Sequence, residues 1–245
     1  MATIVSLHAH PDDEALLTGG WLAQRARGGD RVVLVFATDG EAGLSDHHGP
    51  LGVLRRAEGE ASARALGAAR VVWMGHADSG MADAPTTVAG RFVDVPVSVA
   101  ARTVADVLDV EDADILTGYD ANGGYGHPDH VAVHRVARAA QEIARRRPLL
   151  LEATRDRTGL VRLLRVVRPL ASLLPGLTLP RDDIYADPAE VVRVDVRDAV
   201  EAKRAALAAH ASQATGGVRT VRILLALPGP LARRVLGREW FVEVP

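Results

Sequence analysis

Residues 10–14, His10-Pro11-Asp12-Asp13-Glu14, set one imidazole and three carboxylates directly behind the apolar run Ile4-Val5-Ser6-Leu7. A second knot, Gly126-His127-Pro128-Asp129-His130, follows another apolar run, Ile115-Leu116-Thr117. Each knot stands where a strand should end and a helix begin, so the two read as halves of one metal site. A catalytic Zn²⁺ takes His nitrogens and Asp oxygens at about 2.0–2.2 Å, with three protein ligands and one position left for water. His10, His130 and one of Asp12 and Asp13 would supply such a set, the second aspartate standing beside it as a proton acceptor. Spacing alone leaves the order of the two aspartates open. Zinc lowers the pKa of its water from about 9 toward about 7 in such sites. Fe²⁺ suits the same donors. His127, three residues before His130, is placed to act as an imidazolium on an oxyanion and on a leaving group.

Each residue also has a plainer use. Asp12-Asp13 could cap the helix that follows. His130 and His134 are four apart on one expected helix, but His134 lies a turn inside it and reads as structural. His8 reads as packing or as support for the site, His47 and His48 as solvated loop residues, and His76 has no clear task. The run Asn122-Gly123-Gly124-Tyr125-Gly126 lacks both the G-x-G-x-x-G spacing and a Walker lysine, so a nucleotide loop is disfavoured. A loop that brings Tyr125 and His127 to a substrate is more economical.

The elements that must hold these clusters follow from hydrophobic periodicity. Strands are expected at 4–7, 32–37, 71–74, 114–117 and 149–153, and helices at 15–27, 51–66, 97–108 and 130–146. That alternation predicts a Rossmann-like, mostly parallel sheet with helices on both faces. Ligands in such folds bind beyond the carboxyl ends of the strands, near the point where strand order reverses. Further on, 160–174 reads as an arginine-bearing amphipathic helix or flap, 191–196 as a strand, 199–210 as a helix and 240–244 as a terminal strand. One domain is expected over 1–245, with a core at 1–155 and a less regular C-terminal lobe at 156–245.

Composition limits the classes further. The 245 residues are 48% hydrophobic and 24% charged, with a net charge of −2, which favours neither nucleic acid nor an anionic membrane. Lys203 is the only lysine, and there is no cysteine, which excludes disulfides and thiolate chemistry. No signal peptide and no bilayer-length apolar run are legible, so a cytoplasmic location is expected. A monomer and a homo-oligomer are both compatible with the sequence.

Ala9-His10-Pro11-Asp12-Asp13-Glu14, paired with His127-Pro128-Asp129-His130, resembles the zinc-dependent PIG-L (LmbE-like) N-deacetylase family. Thr38-Asp39-Gly40-Glu41 and the pair Arg55 and Glu58 are also similar to it, and the likeness covers most of the first 135 residues. Asp78-Ser79-Gly80-Met81, the segment Tyr119 to His127 and Ala209-His210-Ala211-Ser212-Gln213 resemble the mycothiol-pathway group within that family. The resemblance implies zinc on His10, Asp13 and His130, with Asp12 as general base. It also implies His127 as acid or oxyanion stabiliser, Tyr125 on the amide carbonyl, and Arg55 and Asp78 on the sugar or its substituent. The implied reaction is removal of the N-acetyl group from an N-acetylglucosamine-type conjugate, a small molecule. An amidase for a larger N-acyl group, and a non-catalytic sugar-binding protein, are the competing readings. The segments 160–174 and 224–236 match no part of the family pattern.

Overall fold

A run such as Val32–Ala37 can stay wholly apolar only if helices cover both faces of the sheet that holds it. The structure, a computed structural model, bears this out; it describes residues 1–43, 49–82, 84–155, 191–214 and 220–244. The strands are β1 (Thr3–His8), β2 (Arg31–Thr38), β3 (Arg70–His76), β6 (Ile115–Tyr119), β7 (Leu149–Thr154), β8 (Val192–Asp195) and β9 (Arg238–Val244), with a two-stranded hairpin of β4 (Gly80–Met81) and β5 (Ala84–Pro85) outside the main sheet. Strand order is β3-β2-β1-β6-β7-β9-β8. The first five strands in that order run parallel, and β9 pairs antiparallel with both β7 and β8.

From β1 the chain builds outward through β2 to β3, then returns to place β6 on the other side of β1. The order therefore reverses between β1 and β6, whose registers pair Ile4 with Ile115 and Ser6 with Thr117. The loops leaving those two strands carry the two histidine clusters, so the topology delivers both to one crevice.

The helices are α1 (Gly19–Arg27), α2 (Leu51–Leu66), α3 (Val97–Glu111), the short α4 (Gly123–Gly126), α5 (Pro128–Ile143), α6 (Val200–Ala209), α7 (Thr220–Leu225) and α8 (Gly229–Leu236). Right-handed crossovers put α1 and α2 on one face, where α6 joins them, and α3 and α5 on the other. Ile4, Leu7, Leu34, Phe36, Leu116 and Leu150 are fully buried between these layers.

Two local departures from the periodicity reading matter. The helix expected at 15–27 starts as a single wide turn, Glu14–Thr18, before α1, a distortion often found beside functional sites. The helix expected from His130 starts two residues earlier, because Pro128 is pre-set for the first helical position and His127 caps it. In the last third, β8, β9 and α6 fall where strands and a helix are expected, and β8 and β9 extend the main sheet. The segment 160–174 and residues His47 and His48 lie outside the described residues. Among those described, no helix is long and apolar enough to cross a membrane.

Candidate active site

His10, Asp13 and His130 converge at the crevice between β1 and β6. His10 Nδ1 lies 3.4 Å from Asp13 Oδ2, His130 Nε2 lies 3.1 Å from the same oxygen, and the two nitrogens are 3.3 Å apart. Donors about 2.0–2.2 Å from a tetrahedral ion stand about 3.3–3.6 Å from each other, so the triangle is close to the size an ion needs.

Outer partners fix which nitrogen faces inward. His10 Nε2 is 3.2 Å from the buried Asp129 carboxylate, and His130 Nδ1 is 3.1 Å from the Gly123 carbonyl. Both outer nitrogens donate, so both inward nitrogens present lone pairs to each other and to the Asp13 carboxylate. Three electron-pair donors converging in this way repel one another unless a cation sits among them; the residues present fit a divalent metal. The local field agrees. Burial disfavours a charged His10, yet the carboxylates of Asp129, Asp13 and Asp78 around its ring raise its pKa well above the ordinary value, so positive charge is favoured at this point, whether as a proton or as a metal ion. Burial likewise opposes a charged Asp13, and the neighbouring His130 and His10 still hold it well below the usual carboxylate range.

Gly123 serves this arrangement twice. It accepts from His130, and its φ of +58° and lack of a side chain allow close approach: a Cβ there would meet His130 Cβ at 2.5 Å. Gly123→Ala is therefore expected to weaken metal affinity by about 10–100-fold, the usual cost of disturbing a ligand's support. Competition against a chelator of known affinity measures it, and unchanged affinity would contradict the assignment of His130.

The remaining expected residues surround the triangle. Asp12 is next to Asp13 but points elsewhere, 3.3 Å from Arg55 Nη2, and burial raises its pKa to about 6 against the opposing charge of Arg55. His127 is buried, and its Nδ1 accepts the Asp129 amide at 3.1 Å, which leaves Nε2 to carry the ring proton. Burial, with His10 and His130 alongside, lowers its pKa to about 4. With Nδ1 occupied by the backbone donor, the ring offers a single N–H, at Nε2. Tyr125 is half exposed on α4, with its ring edge-on to His130 at 4.8 Å between centroids. Burial of its hydroxyl and the Asp13 and Asp12 charges raise its pKa, so it remains a donor.

Asp78 is buried, with Oδ1 3.5 Å from His10 Nε2 and accepting from the Gly80 amide at 2.9 Å. Arg55 is only 3% exposed. Its guanidinium donates to the Gly40 carbonyl at 2.7 Å and to the Pro11 carbonyl, and pairs with Asp12. A cleft of about 630 Å³ opens over Asp12, Asp13, His130 and Tyr125 and runs to Leu16 and Leu224. Within the clustered donors, the ligand atoms of His10, His127 and His130 lie within 4.8 Å of one another, as do those of His10, Asp78, His127 and Asp129.

Residues 5–141, more than half of the chain, match the family model described as PIG-L, GlcNAc-PI de-N-acetylase. The chain belongs to the PIG-L family. A protein of Mycobacterium sp. (strain KMS), named 1D-myo-inositol 2-acetamido-2-deoxy-alpha-D-glucopyranoside deacetylase, is 38% identical over 98% of this chain and 83% of its own length. The protein of the same name from Thermobifida fusca is 32% identical over 97% of this chain and 91% of its own. Among solved structures, N,N'-diacetylchitobiose deacetylase from Pyrococcus horikoshii superposes with a TM-score of 0.64 at 21% identity, covering all of this chain and 84% of that one. GalB, a 4-carboxy-2-hydroxymuconate hydratase, shares the fold as well, with a TM-score of 0.62 at 18% identity, covering all of this chain and 97% of that one.

Several residues in this PIG-L chain work without a role foreseen for them. Asp129 is fully buried and gathers His10 Nε2, the Ser79 amide at 2.9 Å and the Ser79 hydroxyl at 2.5 Å. On the buried face of α2 that carries Arg55, Glu58 accepts from Ser212 and Ser62 donates to Glu14, roles not foreseen for either. The signal was available: three polar residues at helical spacing on a face otherwise filled by small residues. His8 and His134 are accounted for locally, His8 between Ser6 and Tyr119 and His134 against Glu152. His76 stacks on Phe92.

Proposed function

We propose that this chain hydrolyses the amide of an N-acetylglucosamine-type sugar conjugate, yielding acetate and a free amine. The observation that carries the reading is the inward-facing set of His10 Nδ1, His130 Nε2 and Asp13 Oδ2, with Asp12 alongside and uncommitted to that set. The 38% identity to an acetamido-sugar deacetylase along nearly the whole chain supports the same reaction.

We assign His10, Asp13 and His130 as the ligands of a divalent ion, Zn²⁺ in preference to Fe²⁺. Such an ion, when bound, polarises the amide carbonyl and makes water acidic enough to ionise near neutral pH. The chain's own groups do the rest. Asp12 accepts the proton of the attacking water. Tyr125 donates to the carbonyl oxygen as negative charge develops on it. His127 hydrogen-bonds through Nε2 to the oxyanion, and the proton that Asp12 took from water passes to the amide nitrogen, so that the C–N bond breaks and the amine leaves neutral. Asp78 is assigned to a sugar hydroxyl.

Arg55 admits a sharper statement, because its guanidinium faces Asp12. Asp12 works as a base only when ionised, and the positive charge of Arg55 keeps it ionised to lower pH. Arg55→Met is therefore expected to move the acidic limb of kcat/KM to higher pH, with a larger loss near pH 6 than near pH 8. A raised KM with an unmoved limb would instead mean that Arg55 contacts the sugar directly.

Leu16, Leu17, Val221 and Leu224 line one part of the cleft, and this apolar lining favours, as a second reading, a larger N-acyl group. The test is to incubate the metal-loaded chain with 1D-myo-inositol 2-acetamido-2-deoxy-α-D-glucopyranoside, with other acetamido sugars, and with longer N-acyl glucosamine conjugates. Released amine together with acetate is expected. A longer acid without acetate would favour the second reading, and no amine from any of them would refute hydrolysis.

A further inference from the structure

Asp12 sits at φ +122°, a backbone region that side-chain-bearing residues rarely adopt. Such strain persists only where surrounding bonds over-determine it. Those bonds are present. Glu14 folds back so that Oε2 accepts the Asp12 amide at 2.9 Å. Its other oxygen, Oε1, accepts from His210 Nε2 at 2.7 Å and from the Ser62 hydroxyl. Glu14, Ser62 and His210 are all fully buried.

His210 comes from the far end of the sequence, just after α6, and its Nδ1 has no partner among the described residues. An unsatisfied buried nitrogen is costly, and an apolar residue would fill the space without that cost. What the ring supplies is one donor aimed at one oxygen. Two residues further on, Ser212 clamps Glu58 of α2 through its amide at 2.7 Å and its hydroxyl at 2.6 Å. The segment after α6 is thereby fixed against α2, and the position of His210 with it.

We propose that Glu14 and His210 are positioning residues that lock the Asp12 backbone so that its carboxylate is held beside, and not within, the ligand set. The inference rests on Asp12 being the base. Glu14 turns its carboxylate to the Asp12 amide, and His210 and Ser62 prevent that carboxylate from rotating away. A misplacement of about 1 Å in a catalytic group can lower turnover about 100-fold.

The test uses the full chain, metal-loaded, with 1D-myo-inositol 2-acetamido-2-deoxy-α-D-glucopyranoside. Glu14→Gln and His210→Leu are expected to lower kcat by about 10-fold or more, with KM within about 3-fold and metal content unchanged. His210→Gln, which keeps a donor near the Nε2 position, should recover most of that loss. Ser62→Ala, a milder change for a chain that will not fold with the others, should show a smaller loss of the same kind. In an Asp12→Asn background the same substitutions should change the residual rate less than about 2-fold, because groups acting through one residue are not additive. Unchanged kcat in the single variants overturns the proposal, and so does an equal loss in both backgrounds. Near-normal turnover of Asp12→Asn alone would remove the base assignment itself, a failure read separately from the other variants.

Discussion

Asp12→Asn is expected to lower kcat by about 10²–10⁴-fold while leaving metal content at the level of the unaltered chain. The substitution is nearly isosteric, and asparagine tolerates positive φ about as well as aspartate does. Its amide oxygen can still accept from Arg55, so the loop should keep its shape. What disappears is a carboxylate able to take a proton. The proposed ligand set leaves Asp12 out, since the oxygen within 3.1–3.4 Å of both inward nitrogens belongs to Asp13. Measuring kcat, KM and metal per chain on the same sample separates the two aspartates. Near-normal turnover with full metal would rule out Asp12 as the base, and loss of metal would mean that the roles of Asp12 and Asp13 are exchanged.

The second large effect concerns stability. Lys203 and Glu239 form an ion pair buried to 2% and 1% exposure, joining α6 to β9. Lys203 also donates to the Leu16 carbonyl at 3.0 Å, and Glu239 accepts the Gly20 and Trp21 amides at 2.8 Å each, at the start of α1. Removing one partner of a buried pair typically costs about 3–5 kcal/mol, because the other charge is left uncompensated. The two halves are not equivalent here. Glu239 would keep two amide donors and the positive end of a helix dipole, whereas Lys203 would keep one carbonyl. Glu239→Leu should therefore fall at the upper end of that range and Lys203→Met lower. The double variant should be more stable than Glu239→Leu alone. Denaturant unfolding measures all three, and equal losses with simple additivity would contradict the pairing.

Fold and chemistry are separable in this molecule. The hydratase GalB shares the architecture with this chain at 18% identity, so the arrangement of strands does not choose the reaction. The choice lies in which side chains the loops after β1 and β6 carry. Likewise Leu16, Val221 and Leu224, on the cleft wall, bear on which conjugate fits and not on how its amide is broken.

The sequence by itself determined the strand-helix alternation and the sheet that follows from it, because burial on both faces writes itself as uninterrupted apolar runs such as Val32–Ala37. It also determined the two clusters as a pair, since each follows such a run, His10 directly and His130 after a short glycine-rich segment. Only the tertiary structure decided the rest. That β1 and β6 are neighbours, and so bring residues 120 positions apart to 3.3 Å, depends on strand order, which periodicity does not encode. Which nitrogen of His127 is left to donate depends on a backbone amide aimed at Nδ1. Arg55 turned toward Asp12, and His210 reached Glu14 across 196 residues. Hydrogen bonds are short and directional, so their partners are fixed by the last ångström of packing, whereas hydrophobic burial needs only the right face.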